Sequence, residues 1–181
     1  MDTKRETLLP LATYASVATA ILLVSLKTWA WLASGSVSLL ASLVDSLTDS
    51  MASIVNLFAV RLALRPADDN HPFGHGKAES LSALAQSAFI GGSAVFLLLN
   101  AVELLLHPQP LQQTTLGIAV MLVSLPLTLA LVLFQRWVLR RAQSQAVSAD
   151  SLHYVTDFAS NIVVLVALVL AAWGWQRADA V

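Results

Sequence analysis

The chain has 181 residues, of which 57% are hydrophobic and only 12% charged, with a mean hydropathy of +0.72 and a net charge of −1. A soluble domain carries about 25% charged residues, so the deficit marks a polytopic membrane protein, and the near-neutral balance argues against nucleic acid as a partner. No cysteine is present, which removes disulfides and leaves carboxylate, imidazole, carbonyl and water as the only metal ligands available.

Five apolar spans follow in chain order, at about 8–33, 36–64, 78–106, 114–138 and 149–175. Each is long enough to cross ~30 Å of hydrocarbon as a helix, and the predicted fold is an all-α integral membrane bundle over residues 1–181. The first span follows Lys4 and Arg5. It is too long for a signal-peptide core and has no small-residue cleavage site, so it is expected to remain in the mature chain. Turn chemistry separates the spans: Ser34-Gly35-Ser36, then Arg65-Pro66-Ala67-Asp68-Asp69-Asn70, then His107-Pro108-Gln109-Pro110. Lys4, Arg5, Arg61, Arg65, Lys77, Arg136, Arg140 and Arg141 all fall on one side of this topology, eight of the ten basic residues. The positive-inside rule then predicts a cytoplasmic N-terminus and cytoplasmic loops at 65–77 and 139–148. Lys27 is an exception, and its place near a helix end predicts snorkelling to the interface. Trp29, Trp31, Trp173 and Trp175 sit at span ends and read as an aromatic belt.

The spans are not uniformly apolar. Asp45, Asp49, Ala52 and Asn56 form a small or polar stripe on the second; Asp150, His153, Asp157, Ser160 and Asn161 do so on the fifth; Glu79, Gln86, Ser93 and Asn100 recur every seven residues on the third. Lipid penalises such residues, so the stripes are expected to face the bundle interior or a wet cavity. For serine and asparagine, close helix packing is a sufficient explanation. The ionisable residues need another. An aspartate at a helix centre costs about 2.5–3.5 kcal/mol to insert. Asp45 and Asp49 are four apart, as are His153 and Asp157, and residues four apart stack on one face of a helix. Each pair is a two-pronged claw, and two facing claws make a four-ligand site. Three carboxylates and one imidazole suit a borderline divalent ion, Zn²⁺ first, with Fe²⁺, Cd²⁺, Co²⁺ and Mn²⁺ open. The competing reading is interhelical hydrogen bonding by protonated carboxyls.

The loop Asp68-Asp69-Asn70-His71-Pro72-Phe73-Gly74-His75-Gly76-Lys77 holds a second candidate. Asp68, His71 and His75 have the donor types for one metal, and the glycines permit the turn. On spacing alone, a metal loop and an ordinary solvated turn both stay open. His107 reads as a solvated turn residue and Glu103 as a helix-end residue. No phosphate loop, nucleophile elbow or redox motif occurs, so no enzyme activity is expected.

Three stretches, GSVSLLASLVDSLTDS, RPADDNHPFGHGKAESLSALAQS and ADSLHYVTDFASN, resemble the membrane domain of the cation diffusion facilitators, of the bacterial zinc and iron efflux type. The likeness runs across nearly the whole chain. It implies that Asp45, Asp49, His153 and Asp157 form a transport site and that Asp68, His71 and His75 form a cytoplasmic loop site. It also implies a homodimer in the inner membrane exchanging metal for protons. Family members carry a sixth helix and a cytoplasmic domain, whereas this chain stops at Gln176-Arg177-Ala178-Asp179-Ala180-Val181, where the sixth helix is expected to begin. The expected function is export of Zn²⁺ or a similar ion by proton antiport. A membrane metal sensor or scaffold that moves nothing would use the same ligands and is the alternative.

Overall fold

With no water in the hydrocarbon to pair with exposed peptide groups, a chain this apolar satisfies its backbone internally, by forming helices. The computed structural model describes residues 3–106 and 115–172, and among them are five α-helices and no strand. They are α1 (Thr3–Ser34), α2 (Val37–Ala63), α3 (Lys77–Leu106), α4 (Thr115–Leu139) and α5 (Gln145–Ala172). By length and composition α1, α2 and α4 contain stretches apolar enough to cross a membrane. Helix extends beyond the expected apolar spans at two starts: α1 begins at Thr3 and α5 at Gln145. Helical hydrogen bonding does not stop where hydropathy does, so polar residues at the ends continue the helix. His107, Trp173 and Trp175 lie outside the described residues.

Gly35 makes the first reversal. It takes φ 63° and donates its N–H to the Trp31 carbonyl at 2.8 Å, closing α1 with a left-handed residue. The Ser34 hydroxyl accepts from the Ser36 N–H at 3.2 Å, and α2 returns along α1 in the most extensive helix pair of the bundle. Proline occurs inside α1 at Pro10 and inside α4 at Pro126. Membrane helices accept such prolines more readily than soluble ones; the Thr13 hydroxyl also bonds back to the Pro10 carbonyl, at 2.9 Å.

The starts of α1, α3 and α5 and the ends of α2 and α4 gather at one end of the bundle. Leu9, Ala12, Val60, Val138, Ala142, Ala146 and Val147 pack there as a buried cluster. Polar contacts lock the same end: Arg5 donates to Glu79 Oε1 at 2.9 Å, while Glu79 Oε2 accepts from Ser144 Oγ at 2.6 Å and from the Gln145 N–H at 3.2 Å. A second cluster, Ala30, Leu39 and Val120, closes the opposite end, and Leu131, Val132 and Tyr154 pack midway. The outer surface is strongly apolar: Leu32, Met51, Phe58, Leu81, Phe96 and Leu98 are each more than 60% exposed. Meanwhile Asn56, Gln135 and Asp150 are completely buried. This arrangement, apolar outside and polar within, suits a lipid surround.

Candidate metal centre

His153 and Asp157 stack on the inward face of α5, as their four-residue spacing requires, and Asp49 of α2 meets them. His153 Nε2 lies 3.0 Å from Asp49 Oδ1 and 3.6 Å from Asp157 Oδ2. The imidazole is buried, with the two carboxylates half-buried around it. Asp157 Oδ2 is enclosed and has no hydrogen-bond partner among the described residues. One ligand atom from each of the three lies within 4.8 Å of the others. This mixed nitrogen and oxygen donor set fits a borderline divalent ion. Asp45, one turn away on α2, is not drawn into this cluster and its side chain is exposed.

Neighbouring polar contacts fix the rotation of α5. Tyr154 is buried with its hydroxyl 2.9 Å from Ser53 Oγ, and Ser16 Oγ lies 3.0 Å from Ser53 Oγ and 3.4 Å from the phenol. These three hydroxyls join α1, α2 and α5 immediately beside the cluster, and the His153 ring stands edge-on to Tyr154 with centroids 5.9 Å apart. One turn earlier on α5, Asp150 accepts from Gln86 Nε2 at 3.1 Å and from Gln135 Nε2 at 2.7 Å, which ties in α3 and α4. Asn56 Oδ1 accepts from Ser82 Oγ at 3.2 Å. The polar stripe on α5 and, from Asp49 onward, that on α2 thus turn inward. The stripe on α3 does so at Glu79 and Gln86 but not at Ser93, which is exposed in an open apolar groove beside Phe89 and Phe96.

Sequence reasoning passed over Ser16, Ser53, Tyr154 and Gln135. Two signals pointed to them: Ser53 stands four residues after Asp49, and Tyr154 adjoins His153. Lys27 corrects an expectation. It does not snorkel outward: its ammonium donates to Ser46 Oγ at 2.6 Å and to the Ser42 carbonyl at 3.1 Å, both on α2. Both partners lie on the face of α2 that carries Asp49 one turn further on. A lysine whose stem can reach the neighbouring helix finds its partners there rather than among the headgroups.

The loop between α2 and α3 forms a second cluster. Asp68 Oδ1 accepts from the N–H groups of Asn70 at 3.1 Å and His71 at 2.7 Å, making an Asx-type turn. His71 Nδ1 is 3.1 Å from Asp68 Oδ1 and His75 Nε2 is 3.5 Å from Asp68 Oδ2. Gly74, at φ 77°, turns the chain so that the two imidazoles face each other with centroids 4.5 Å apart. The His71 N–H, helped by its ring, holds the Asp68 carboxyl below the usual carboxylate range. His75 Nδ1 is enclosed without a partner, while Asp68 and His71 are exposed.

Residues 13–181 match the cation efflux transmembrane domain. The chain belongs to the cation efflux family. It is 57% identical over 169 residues to a cation-efflux pump FieF of Klebsiella pneumoniae, an alignment covering 93% of this chain and 56% of the relative. Identity to the pumps of the same name in Citrobacter koseri and in Escherichia coli K12 is 56%, over the same shares of each chain. The chain therefore spans a little over half the length of the curated relatives it matches. Membership in this family agrees with the all-helical bundle and its apolar exterior.

Proposed function

We propose that this chain is the membrane domain of a secondary transporter that exports divalent metal cations from the cytoplasm in exchange for protons. Zn²⁺ is the first candidate cargo, with Fe²⁺, Cd²⁺ and Co²⁺ as others. In this reading Asp49, His153 and Asp157 hold the ion, Asp45 completes the ligand set by turning one helical turn inward, and Asp68, His71 and His75 bind metal at the cytoplasmic loop. The protein sits as a multi-pass homodimer in the inner membrane with its N-terminus in the cytoplasm.

The observation that carries the reading is the convergence of Asp49 from α2 and Asp157 from α5 on one nitrogen of a buried histidine. A 3.0 Å contact between His153 Nε2 and Asp49 Oδ1 requires a hydrogen between them. Metal binding needs Nε2 free and the carboxylates ionised, so wherever these groups carry ionisable protons, proton and metal compete for the same atoms. Ligands shared between two helices also suit alternating access, since rocking α2 against α5 opens the claws and weakens the hold on the ion. No covalent step is involved, and the named relatives are pumps.

Zinc flux into proteoliposomes under an imposed pH gradient tests the proposal, with this sequence assayed both alone and as a longer protein extended by the C-terminal part of one of its relatives. Flux that follows the proton gradient and stops in Asp49→Ala supports it. Tight zinc binding with no gradient-driven flux in the longer protein would identify a sensor or scaffold instead.

A further inference from the structure

We propose that Lys27 is a fixed counter-charge of the metal centre, which sets the centre's net charge to match a divalent ion. The inference rests on the metal-centre reading above and adds a residue that determines charge specificity.

Lys27 lies deep in the α1 sequence TAILLVSLKTWAWLAS, eight residues short of the Gly35 turn, in one of the stretches apolar enough to cross a membrane. An ammonium in such a place is costly unless it has partners. Its two hydrogen-bond acceptors, Ser46 Oγ and the Ser42 carbonyl, are neutral and cannot balance its charge. Ser42 and Ser46 lie on the face of α2 that carries Asp49 one turn further on, so the carboxylates of the centre are the charges placed to balance it. Among the described residues it forms no ion pair within 4.0 Å of any of them. That combination has a consequence. A lysine in direct contact would occupy the ligand oxygens and block the metal. Anchored on Ser46, beside Asp45 in sequence, Lys27 contributes charge while leaving the ligand oxygens free.

The charge count follows. Metal binding requires the carboxylates ionised and the imidazole neutral; in that form three carboxylates and one ammonium leave two negative charges. A divalent ion brings the centre to neutrality, which is the favourable state in a low-dielectric interior. Without Lys27 the loaded centre would retain a negative charge, and the empty one would carry three. The lysine therefore weakens the hold on any divalent ion by the same electrostatic factor, whichever metal it is, and so assists release. Asp150, one turn before His153 on α5, is held by its own two amide donors, Gln86 and Gln135, and is not one of the ligands counted.

The test is metal titration of the whole chain in detergent, using Zn²⁺, Cd²⁺ and Mn²⁺ separately against a competing chelator. A His71→Ala/His75→Ala background confines the reading to the membrane centre. Lys27→Met and Lys27→Gln should each bind all three ions more tightly, by about ten-fold or more, the effect expected from removing one positive charge beside a poorly solvated site. The factor should be equal for the three metals. Lys27→Arg keeps the charge and should stay within about two-fold of the parent. Glutamine retains a hydrogen-bond donor for Ser46, which keeps the test valid if the methionine variant folds poorly. Unchanged or weaker binding in a folded Lys27→Gln protein overturns the proposal. So does a change that differs from metal to metal, which would mean that Lys27 positions ligands instead. Asp49→Ala in the same background separates the two levels of inference. If it binds Zn²⁺ as the parent does, the metal centre itself is wrong, and the role of Lys27 falls with it.

Discussion

The two histidine–aspartate clusters use nearly the same donors and are built in opposite ways. The loop cluster draws Asp68, His71 and His75 from eight consecutive residues, held by local turns and largely exposed. The membrane cluster joins Asp49 to His153 across 104 positions of sequence, buried between two helices that are themselves held by hydroxyl and amide contacts. A local site forms wherever its turn forms, competes with water, and exchanges its ligand readily. A site assembled from packed helices exists only while the helices keep their relative rotation. Binding there is therefore coupled to bundle geometry, which is what a transporter needs and a surface loop cannot supply.

That contrast is breakable. The largest effect should come from Asp49→Ala or Asp157→Ala, which removes one of the few donors of a centre set between packed helices. Zinc affinity at the membrane centre should fall on the order of a hundred-fold, about 3 kcal/mol, while loop binding stays as it was. Isothermal titration resolving the two classes of site checks this. Equal losses at both sites would show that the clusters are not independent.

Gln135→Leu comes next, because it touches the scaffold and neither cluster. Its amide is the 2.7 Å donor to the fully buried Asp150. Leaving a carboxylate oxygen without its partner costs about 1–3 kcal/mol. The thermal midpoint in detergent should drop, and zinc affinity at the membrane centre should drop with it, whereas the loop should be unmoved. Stability lost with membrane-site affinity intact would break the proposed link between packing and binding.

A smaller change is expected from His75→Ala. Asp68 and His71 remain in place on an exposed turn, and water can fill the vacant position. Loop affinity for zinc should fall about ten-fold, roughly 1.4 kcal/mol, with the membrane centre unaffected. Competition with a chelator of matched affinity measures it.

The smallest effect is a pH response confined to the loop. Asp68 has its carboxyl held low chiefly by the His71 N–H bond. A carboxylate with a lowered folded pKa stabilises the turn fully above the ordinary value of about 3.9, and that contribution is lost as the pH falls through the lower folded value. The His71 and Asn70 amide resonances should therefore keep their hydrogen-bonded positions from about pH 8 to 5 and move only below about pH 4. Movement already at pH 6 would mean that the turn depends on the imidazoles and not on the carboxylate.

Much of this was legible in the sequence, for identifiable reasons. The helices followed from apolar runs separated by Gly35, Pro66 and the Asp68–Gly76 segment. The stacking of His153 and Asp157 on one face of α5 followed from four-residue spacing, which is a property of the helix itself. What periodicity could not reach was anything decided between helices. Whether Asp45 joins Asp49 at the cluster depends on how α2 is rotated against α5, and in this structure its side chain is turned out. Lys27 was misread because charge counting assigns a lysine near a helix end to the interface, without knowing that Ser46 stands across from it. The seven-residue recurrence on α3 failed at Ser93 for a related reason: a helix can face the interior at one end and leave it at the other. The hydroxyl group of three, Ser16, Ser53 and Tyr154, brings together positions up to 138 apart, and no local pattern foretells that.

The central claim is that α2 and α5 together hold a divalent ion through His153 and the facing carboxylates. Zinc K-edge X-ray absorption on the whole chain, in the His71→Ala/His75→Ala background and loaded with one equivalent of Zn²⁺, tests it most directly. The predicted first shell is one imidazole nitrogen with the remaining ligands oxygen, at about 2.0–2.2 Å and four-coordinate, and it should disappear in Asp49→Ala. A shell with no imidazole, or one that survives Asp49→Ala unchanged, would contradict the account.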